Sequence, residues 1–366
     1  MASPNIVDLS SLLAPISEQQ PAGPDLRDDP SPTSSYQTIK SQRNAARAAE
    51  RSSIHDGGSS EADEHWRTVL ELAPRLLSSE SKDLEVACWY LEALVRRYGF
   101  QGLRDGFEII CGLVEQFWNG LYPIPDEDGI ETRIASLAGL NGEGAEGVLI
   151  APIRKIVITE GQSVGPFSFW EYQHALEIDK MGDDGKSAKT AKLGLTLNDF
   201  EKAVAESSQA FFVNQRDDIN QAIDLCRRCG QLLDQQCGAQ HAPSLRNIIE
   251  VLEQCRGAIN HVGKNKFPVE PEVNPEQTDQ QQATIGGQAG ANFSTQQVQS
   301  REAAFRQLTE IAAFFRRTEP HSPISYVIEK AVKWGEMPLN ELVKELITDN
   351  SSLTRYSELT GVKVDR

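Results

Sequence analysis

Apolar residues recur at intervals of three and four along much of the chain, and this spacing predicts amphipathic helices. One stripe consists of Trp66, Val69, Leu70, Ala73, Leu76 and Leu77. The next predicted helix covers the sequence SKDLEVACWYLEALVRRYG. Ser81 is its candidate N-cap and Gly99 its candidate stop. A further helix is predicted over residues 102–118. The first third of the chain is therefore expected to be helical.

The middle of the chain returns to this pattern after a less regular stretch. Residues 148–158 (VLIAPIRKIVI) are rich in β-branched side chains, which favour strands. Pro152 would confine such a strand to a sheet edge, or the stretch to a loop. Because residues 159–195 are rich in Gly and polar side chains, an irregular connector is predicted over 148–195. Three helices are then predicted, at about 196–209, 211–237 and 244–261.

Two short helices are predicted near the C-terminal end. Residues 264–300 contain much Gln, Pro and Gly, which is the composition of a flexible linker that would span roughly 30–36 Å. Beyond it, Ser322 and Pro323 suit a helix start, and Gly335 suits a helix end. The apolar positions of this helical hairpin are predicted to form an oligomer interface: Ile324, Val327, Ile328, Ala331, Trp334, Met337, Leu339, Leu342, Val343 and Leu346.

Together these patterns predict an all-α protein with a multi-helix N-terminal part, a flexible linker and a small C-terminal α-hairpin oligomerisation domain. The expected divisions are an extended leader (1–33), an N-terminal helical domain (34–147), the connector (148–195), a middle helical bundle (196–263), the linker (264–300) and the C-terminal domain (301–366). A domain as small as the last one buries little surface alone, so oligomerisation is expected to supply the missing burial.

The net charge of the chain and its distribution indicate which classes of partner are expected. The net charge is −17, which argues against nucleic acid and anionic lipid as main partners. Residues 301–366 contain ten Lys and Arg and ten Asp and Glu, so the whole negative surplus lies in residues 1–300. A neutral C-terminal segment can pack against copies of itself without strong repulsion. Neither a membrane span nor a signal peptide is apparent, and a cytoplasmic location is expected.

The cysteines raise one alternative. Cys226-x-x-Cys229, followed by Cys237 and His241, resembles a zinc-ligand set, which would fit a metal-binding enzyme. However, the three thiols fall on one predicted helix, and two of them lie on its apolar stripe. Buried thiols are therefore the favoured reading, and no metal or other cofactor is expected.

Three other motifs have structural explanations. The glycines of 142–147 match a dinucleotide fingerprint in spacing, but helix-like residues precede them where a strand is required. Residues 126–129 (DEDG) lack the register of a calcium loop and suit a turn. His321 and Ser322 are neighbours in sequence, which does not make a catalytic pair without a third, orienting group. No catalytic residue is predicted.

Several short motifs in residues 21–133 resemble the ImpA-type N-terminal domain of TssA components of bacterial type VI secretion systems. They are PAGPDLR at 21–27, DEHW at 63–66, SKDL at 81–84, GFQGL at 99–103, and the FW, LYP and DEDG groups that follow. The position often occupied by cysteine in the leader is Ala22 here. The matching positions are Gly23, Asp25, Leu26, Trp66, Ser81, Lys82, Asp83, Leu84, Gly102, Trp118, Pro123, Asp128, Gly129 and Arg133.

The segment EPHSPISYVIEKAVKWGEMPLNELVKEL (319–346) is similar to the C-terminus of the short, baseplate-associated TssA type. The resemblance implies a non-enzymatic scaffold that forms a ring through its C-terminal domain. It also implies recruitment of baseplate, sheath and inner-tube proteins near the inner membrane, without membrane insertion. A sheath-distal cap or chaperone of the same machine is the alternative.

Overall fold

The computed structural model describes residues 2–52, 60–127, 129–142, 144–180, 194–267, 301–318, 323–337, 339–346 and 349. The prediction of an all-α protein is confirmed: in these ranges the chain forms helices and three isolated β-bridges but no strand. No helix of the described part is both long and apolar enough to cross a membrane. The chain divides into two compact units, Met1–Val273 and Asn274–Arg366.

The first unit is a set of α-helices around one hydrophobic core, which draws on residues from Val7 to Ile259. Its described α-helices are α1 (Leu9–Leu12), α2 (Ser35–Ser52), α3 (Ser60–Ser79), α4 (Leu84–Phe117), α5 (Glu131–Asn141), α6 (Ile150–Arg154), α7 (Phe169–Asp179), α8 (Leu197–Glu206), α9 (Gln209–Cys237) and α10 (Arg246–Val262). Short 3-10 turns occupy Leu26–Asp28, Trp118–Gly120 and Lys264–Lys266.

Helix α4 is the centre of this unit, because α3, α5, α6 and α9 all pack against it. It consists of two helical segments that meet at Gly99, where φ is 59° and ψ is −133°. The predicted helix stop at Gly99 is thus confirmed as a break. The bend brings the backbone close to itself, since a Cβ on Gly102 would lie 2.2 Å from the carbonyl oxygen of Leu94.

The prediction that Ser81 caps this helix is wrong. Asp83 is the N-cap, and its carboxylate accepts hydrogen bonds from the backbone N–H groups of Glu85 and Val86. The hydroxyl of Ser81 instead donates to the carbonyl oxygen of Pro24, at 2.7 Å. The cap falls at Asp83, whose backbone is extended, because Ser81 and Lys82 are bonded to other segments of the chain.

The prediction of an irregular connector over 148–195 is wrong for much of its described part, which contains α6 and α7. Ser168 and Glu171 form a capping box at the start of α7. The buried residues Phe169, Tyr172, Ala175 and Ile178 follow at helical spacing. The Ser-x-x-Glu pattern before these apolar positions was the available signal. Residues 181–193 lie outside the described part.

The second unit contains α11 (Arg301–Thr318), α12 (Ile324–Glu336) and α13 (Leu339–Leu346). Helices α11 and α12 pack together, and Arg316 forms a salt bridge of 2.5 Å with Glu329. The prediction that Gly335 ends its helix is wrong, because α12 continues to Glu336. Gly335 serves close packing instead, since a Cβ there would lie 2.2 Å from the Phe305 ring. The predictions for His321, Ser322 and linker residues 268–300 fall outside the described residues.

Candidate functional site

Three distant segments meet at the start of α4, and most of the family-motif positions lie there. The backbone N–H of Lys82 donates to the carbonyl of Ala22 in the leader, at 2.7 Å. On the other side, the Lys82 carbonyl accepts from Tyr122 at 3.0 Å, and Leu84 donates to the Tyr122 carbonyl at 2.7 Å. The SKDL segment is therefore held between the leader and the loop that follows α4. We call this arrangement the leader junction.

Lys82 anchors the junction from within. Its side chain has no exposed surface, and its ammonium group donates to the carbonyl oxygens of Leu12, at 2.7 Å, and Leu77, at 2.5 Å. The same group lies 5.4 Å from the centre of the Phe117 ring. Burial lowers the pKa of Lys82 to about 8. This lysine joins structural elements and does not reach solvent.

Arg27 gathers the acidic side chains of the junction. Its guanidinium lies 3.0 Å from Asp25, 2.7 Å from Asp83 and 2.7 Å from Glu85. It also stacks over the ring of Tyr36, whose hydroxyl donates to Glu85 at 2.7 Å. Complete burial raises the pKa of the Asp83 carboxyl, and the Arg27 guanidinium opposes that rise. The network fixes the leader against the first turn of α4.

Gly23 permits the close approach of the leader. Its φ of 74° is unfavourable for other residues, and a Cβ would lie 2.3 Å from the carbonyl oxygen of Glu80. The Tyr122 hydroxyl donates to the Gly23 carbonyl, at 3.1 Å. A glycine is therefore required at this position by both backbone conformation and space.

The loop after α4 is fixed by Arg133, which is almost fully buried. Its guanidinium donates to the carbonyls of Trp118, at 2.8 Å, and Pro123, at 3.0 Å, and lies over the Trp118 ring. Gly129 has a φ of 80°, and its backbone N–H donates to the Asp126 carbonyl, which closes a turn. A groove of about 460 Å³ runs between this loop and the leader. Asp128 falls outside the described residues.

The remaining family-motif positions serve the core. Leu26 and Leu84 are buried, and Gly102 allows the bend of α4. Trp66 lies away from the junction, where its indole N–H donates to Glu50 at 2.8 Å and the Arg96 guanidinium stacks on its ring. Sequence reasoning identified Leu26 and Gly102 by resemblance, and it also placed Trp66 and Leu84 on predicted apolar stripes. It missed Tyr36, which carries no recognisable local signal. It placed Glu85 only in the first turn of a helix and did not indicate its contacts with Arg27 and Tyr36.

The zinc-like cysteines do not form a centre with His241. Cys226 and Cys229 are fully buried on α9, and burial raises the pKa of Cys226. A hydrogen bond with Cys111 and burial raise the pKa of Cys229. His241 lies exposed beside Glu131, 3.1 Å from its carboxylate. Across the described ranges, no group of three or more His, Cys, Asp or Glu side chains is placed to hold a metal ion.

The glycine motif at 142–147 lies between two helices. Gly142 is the C-cap of α5, and its N–H donates to the carbonyl of Ala138. Helix α6 begins only at Ile150 and has five residues. The strand-to-helix context of a dinucleotide site is therefore missing from this described stretch.

The predicted oligomer-interface residues are divided between α12, which carries five of the ten, and the segment from Met337 to the end of α13. Val327 is 65% exposed, and Ile324 and Ala331 are also exposed. On α13, Leu346 is exposed and Val343 is buried. The half-buried members are Ile328, Trp334, Met337 and Leu342. Sequence reasoning missed Tyr326, which is 60% exposed; nothing is described of the Leu339 side chain.

Comparisons with known proteins agree with the resemblance. Residues 13–142 match the family model described as "ImpA, N-terminal, type VI secretion system". The chain is 26% identical over 362 residues to the type VI secretion system component TssA1 of Pseudomonas aeruginosa, covering 97% of this chain and 99% of that protein.

A solved structure shares the fold of the N-terminal part. It is the N-terminal domain, including the conserved ImpA_N region, of the TssA component of the type VI secretion system from Burkholderia cenocepacia. The match has a TM-score of 0.58 and 24% identity, and covers 72% of this chain and 96% of that one. Residues 13–142 of the present chain therefore match the ImpA-type N-terminal domain, and the chain is similar along nearly its whole length to a TssA component of the type VI secretion system.

Proposed function

We propose that the chain is a structural scaffold of a type VI secretion system, which assembles through its C-terminal helices and presents its N-terminal units to other parts of the machine. The match along 97% of the chain to a TssA component supports the assignment to this machine. The partners that fit the proposal are baseplate, sheath and inner-tube proteins. The chain would contact them near the inner membrane. The role requires no catalytic residue.

The observation that carries self-assembly is the exposed apolar face of α12. Ile324, Tyr326 and Val327 present apolar surface to solvent in a single copy of the chain. A soluble monomer rarely leaves such neighbours exposed together, whereas an interface covers them. Lys330 lies over the ring of Trp334, whose indole N–H is buried and has no hydrogen-bond acceptor within the described residues. A shift of the Trp334 side chain on assembly would let a second copy supply that acceptor.

The occupant that fits this face is another copy of the same chain. Residues 301–366 carry equal numbers of basic and acidic residues, so like copies do not repel one another strongly. Identical copies that meet through two different surfaces close into a ring when the rotation between them allows it. Many N-terminal units on one ring would then gain avidity for partners that each unit binds weakly.

Electron microscopy and light scattering of the full chain test this proposal. We expect a symmetric ring for the wild-type protein and a mass near that of one chain for Val327→Asp. Thr309→Asp introduces the same charge at an exposed position of α11 and should leave the particle intact. A wild-type monomer, or a Val327→Asp particle of unchanged mass, would refute assembly through this face.

A further inference from the structure

A cationic cleft lies on the first unit, away from the leader junction. It has a volume of about 830 Å³ and runs between the end of α2, the middle of α4 and helix α6. Arg47, Arg51, Arg97 and Lys155 line it. Its position is unexpected, because residues 1–300 carry the entire negative surplus of the chain.

The positive charges of the cleft are largely unsatisfied. Arg96 is paired with Glu50 at 2.6 Å, and the lining residue Glu146 is paired with Arg154 at 3.0 Å. By contrast, Arg51, Arg97 and Lys155 form no salt bridge with any residue of the described ranges, and all three are exposed. Lys155 is partly compensated by Glu50: burial raises the pKa of that carboxyl, but Arg96 and, to a smaller extent, Lys155 lower it overall. Asp63 is the remaining acidic side chain in the lining. The cleft therefore has a local surplus of positive charge.

The side chain of Arg47 lies in the same positive electrostatic field. It is half-buried, and burial lowers its pKa. The guanidinium groups of Arg43, Arg96 and Arg51 lower that pKa further, and the Glu92 carboxylate opposes them in part. Such a concentration of like charge costs free energy in the free protein. An anionic ligand would relieve that cost, which adds to the attraction between ligand and cleft.

The cleft also offers apolar and polar contacts. Tyr98 is 43% exposed and Val157 is 39% exposed at its edge. The side-chain oxygen of Gln215 is buried in the lining and has no donor within the described residues. A ligand with apolar groups beside its negative charges would contact Tyr98 and Val157. An N–H group of the same ligand would donate to the Gln215 oxygen.

The shape favours an extended chain over a compact small molecule. A second hollow of about 620 Å³ runs along α3 and shares Trp66, Arg97 and Tyr98 with the cleft. A third, of about 270 Å³, shares Tyr98 and Gln215. The three hollows adjoin one another at Tyr98, and together they are called the groove. The outer two add the acidic residues Glu71, Glu160 and Asp218, so the positive surplus of the groove lies at the cleft.

We propose that this groove binds an acidic segment of a partner protein, in which carboxylates pair with Arg51, Arg97 and Lys155 and apolar side chains contact Tyr98 and Val157. The proposal rests on the scaffold role, because it names the chemistry of one captured partner. Polypeptide fits better than nucleic acid. A short acidic segment feels mainly the local field, since charges are screened beyond about 10 Å in 0.1 M salt. A nucleic-acid strand would extend onto the acidic body and be repelled.

The test uses fluorescence anisotropy with the full-length protein and a fluorescein-labelled ten-residue peptide of glutamate and leucine. The comparison probes are the same peptide with glutamine for glutamate, and a ten-nucleotide oligothymidylate. We expect the glutamate peptide to bind saturably, to weaken with added salt, and to bind more tightly than either comparison probe. Arg97→Glu with Lys155→Glu should weaken binding by at least about tenfold.

The matched control is Arg75→Glu with Arg246→Glu, which makes the same change in net charge at two exposed residues outside the groove. This control should change affinity by less than about twofold. Lack of binding to the wild-type protein, equal loss in both double variants, or tighter binding of the oligothymidylate would overturn the proposal. So would a change of oligomeric mass in the groove variant, which would assign the groove to contact between copies.

Failure of this inference is separable from failure of the scaffold proposal. Peptide binding is measured on Val327→Asp as well as on the wild-type protein. If Val327→Asp is monomeric and the wild type binds no peptide, assembly stands and the groove proposal falls. If the wild type is a monomer but binds the peptide as described, the ring falls and the groove stands.

Discussion

The ammonium group of Lys82 donates a 2.7 Å hydrogen bond to the carbonyl oxygen of Leu12, across 70 positions of sequence. A second hydrogen bond reaches the carbonyl of Leu77. Both carbonyls belong to the last turns of helices, α1 and α3, where backbone acceptors have no partner within the helix. One buried lysine therefore satisfies two helix ends and fastens the leader to the body of the unit.

Replacement of Lys82 by alanine should destabilise the first unit by about 2–4 kcal/mol, because two buried acceptors lose their donor and a cavity opens. Urea denaturation of the full chain measures the change, and limited proteolysis should show earlier cleavage in the leader. Lys202→Ala, at an exposed position of α8, is the control and should stay within about 0.5 kcal/mol of wild type. Equal stability of the two variants would show that Lys82 does not hold the leader.

Gly23→Ala should weaken the leader junction strongly. The φ of 74° is strained for alanine, and the new Cβ would lie 2.3 Å from the Glu80 carbonyl oxygen, so we expect a loss of at least about 2 kcal/mol. Gly139→Ala is the matched control, since its Cβ would meet no atom within 4 Å in helix α5. That change should be neutral or stabilising by up to about 1 kcal/mol. The same denaturation curves measure both, and a Gly23→Ala protein as stable as wild type would contradict the assigned role.

Alkaline pH should destabilise the first unit through its buried thiols. The pKa values of Cys88, Cys226 and Cys229 are raised in the folded state, whereas thiols of an unfolded chain ionise near pH 8.5. The unfolded state therefore binds fewer protons above that pH, and the stabilisation present below it is lost as pH rises. Each such thiol contributes up to about 1.4 kcal/mol per pH unit. Lys82, with its lowered pKa, acts in the opposite direction between about pH 8 and 10.5.

Cys226→Ala tests this account. The free energy of unfolding, measured from pH 7.5 to 10 in a reducing buffer, should fall less steeply for the variant than for the wild-type chain. Cys237→Ala serves as the comparison, because Cys237 is only partly buried and the rise in its pKa is smaller than that of Cys226. Identical pH slopes for wild type and Cys226→Ala would be inconsistent with the role given to the buried thiols.

Charge at the elbow of α12 and α13 should release single chains from the proposed assembly. Trp334→Glu combined with Leu342→Glu places two carboxylates at half-buried positions, which an apolar interface cannot accommodate without a large desolvation cost. Sedimentation velocity measures the particle mass, and circular dichroism checks that the helices persist. A large particle in the double variant would argue against this interface.

Trp334→Phe is a milder change at the same predicted interface. The ring is kept and only the indole N–H is lost, so we expect the subunit contact to weaken by about 1 kcal/mol if a second copy accepts that hydrogen bond. The measurement is the protein concentration at which the particle dissociates. An unchanged concentration would place the acceptor elsewhere.

Local patterning accounts for much of what was predicted correctly. The break at Gly99 and the helices from Leu197 to Val262 follow from apolar spacing and from a residue with free backbone conformation. The two failures have different origins. Ser81 and Asp83 are both good capping residues, and the choice between them depended on the partners of the preceding backbone. Helix α7 was missed because Gly-rich and polar neighbours masked a short capping signal.

The amino-acid sequence by itself determined the helical class, the apolar stripe of the C-terminal helices and the likeness to ImpA-type domains, because these depend on spacing between near neighbours. Only the tertiary structure decided that Arg27, Lys82 and Tyr122 meet at one junction. It alone placed Arg51, Arg97 and Lys155 around one groove on an acidic protein. Contacts between residues far apart in sequence are chosen by how the whole core packs, and no local pattern records that choice.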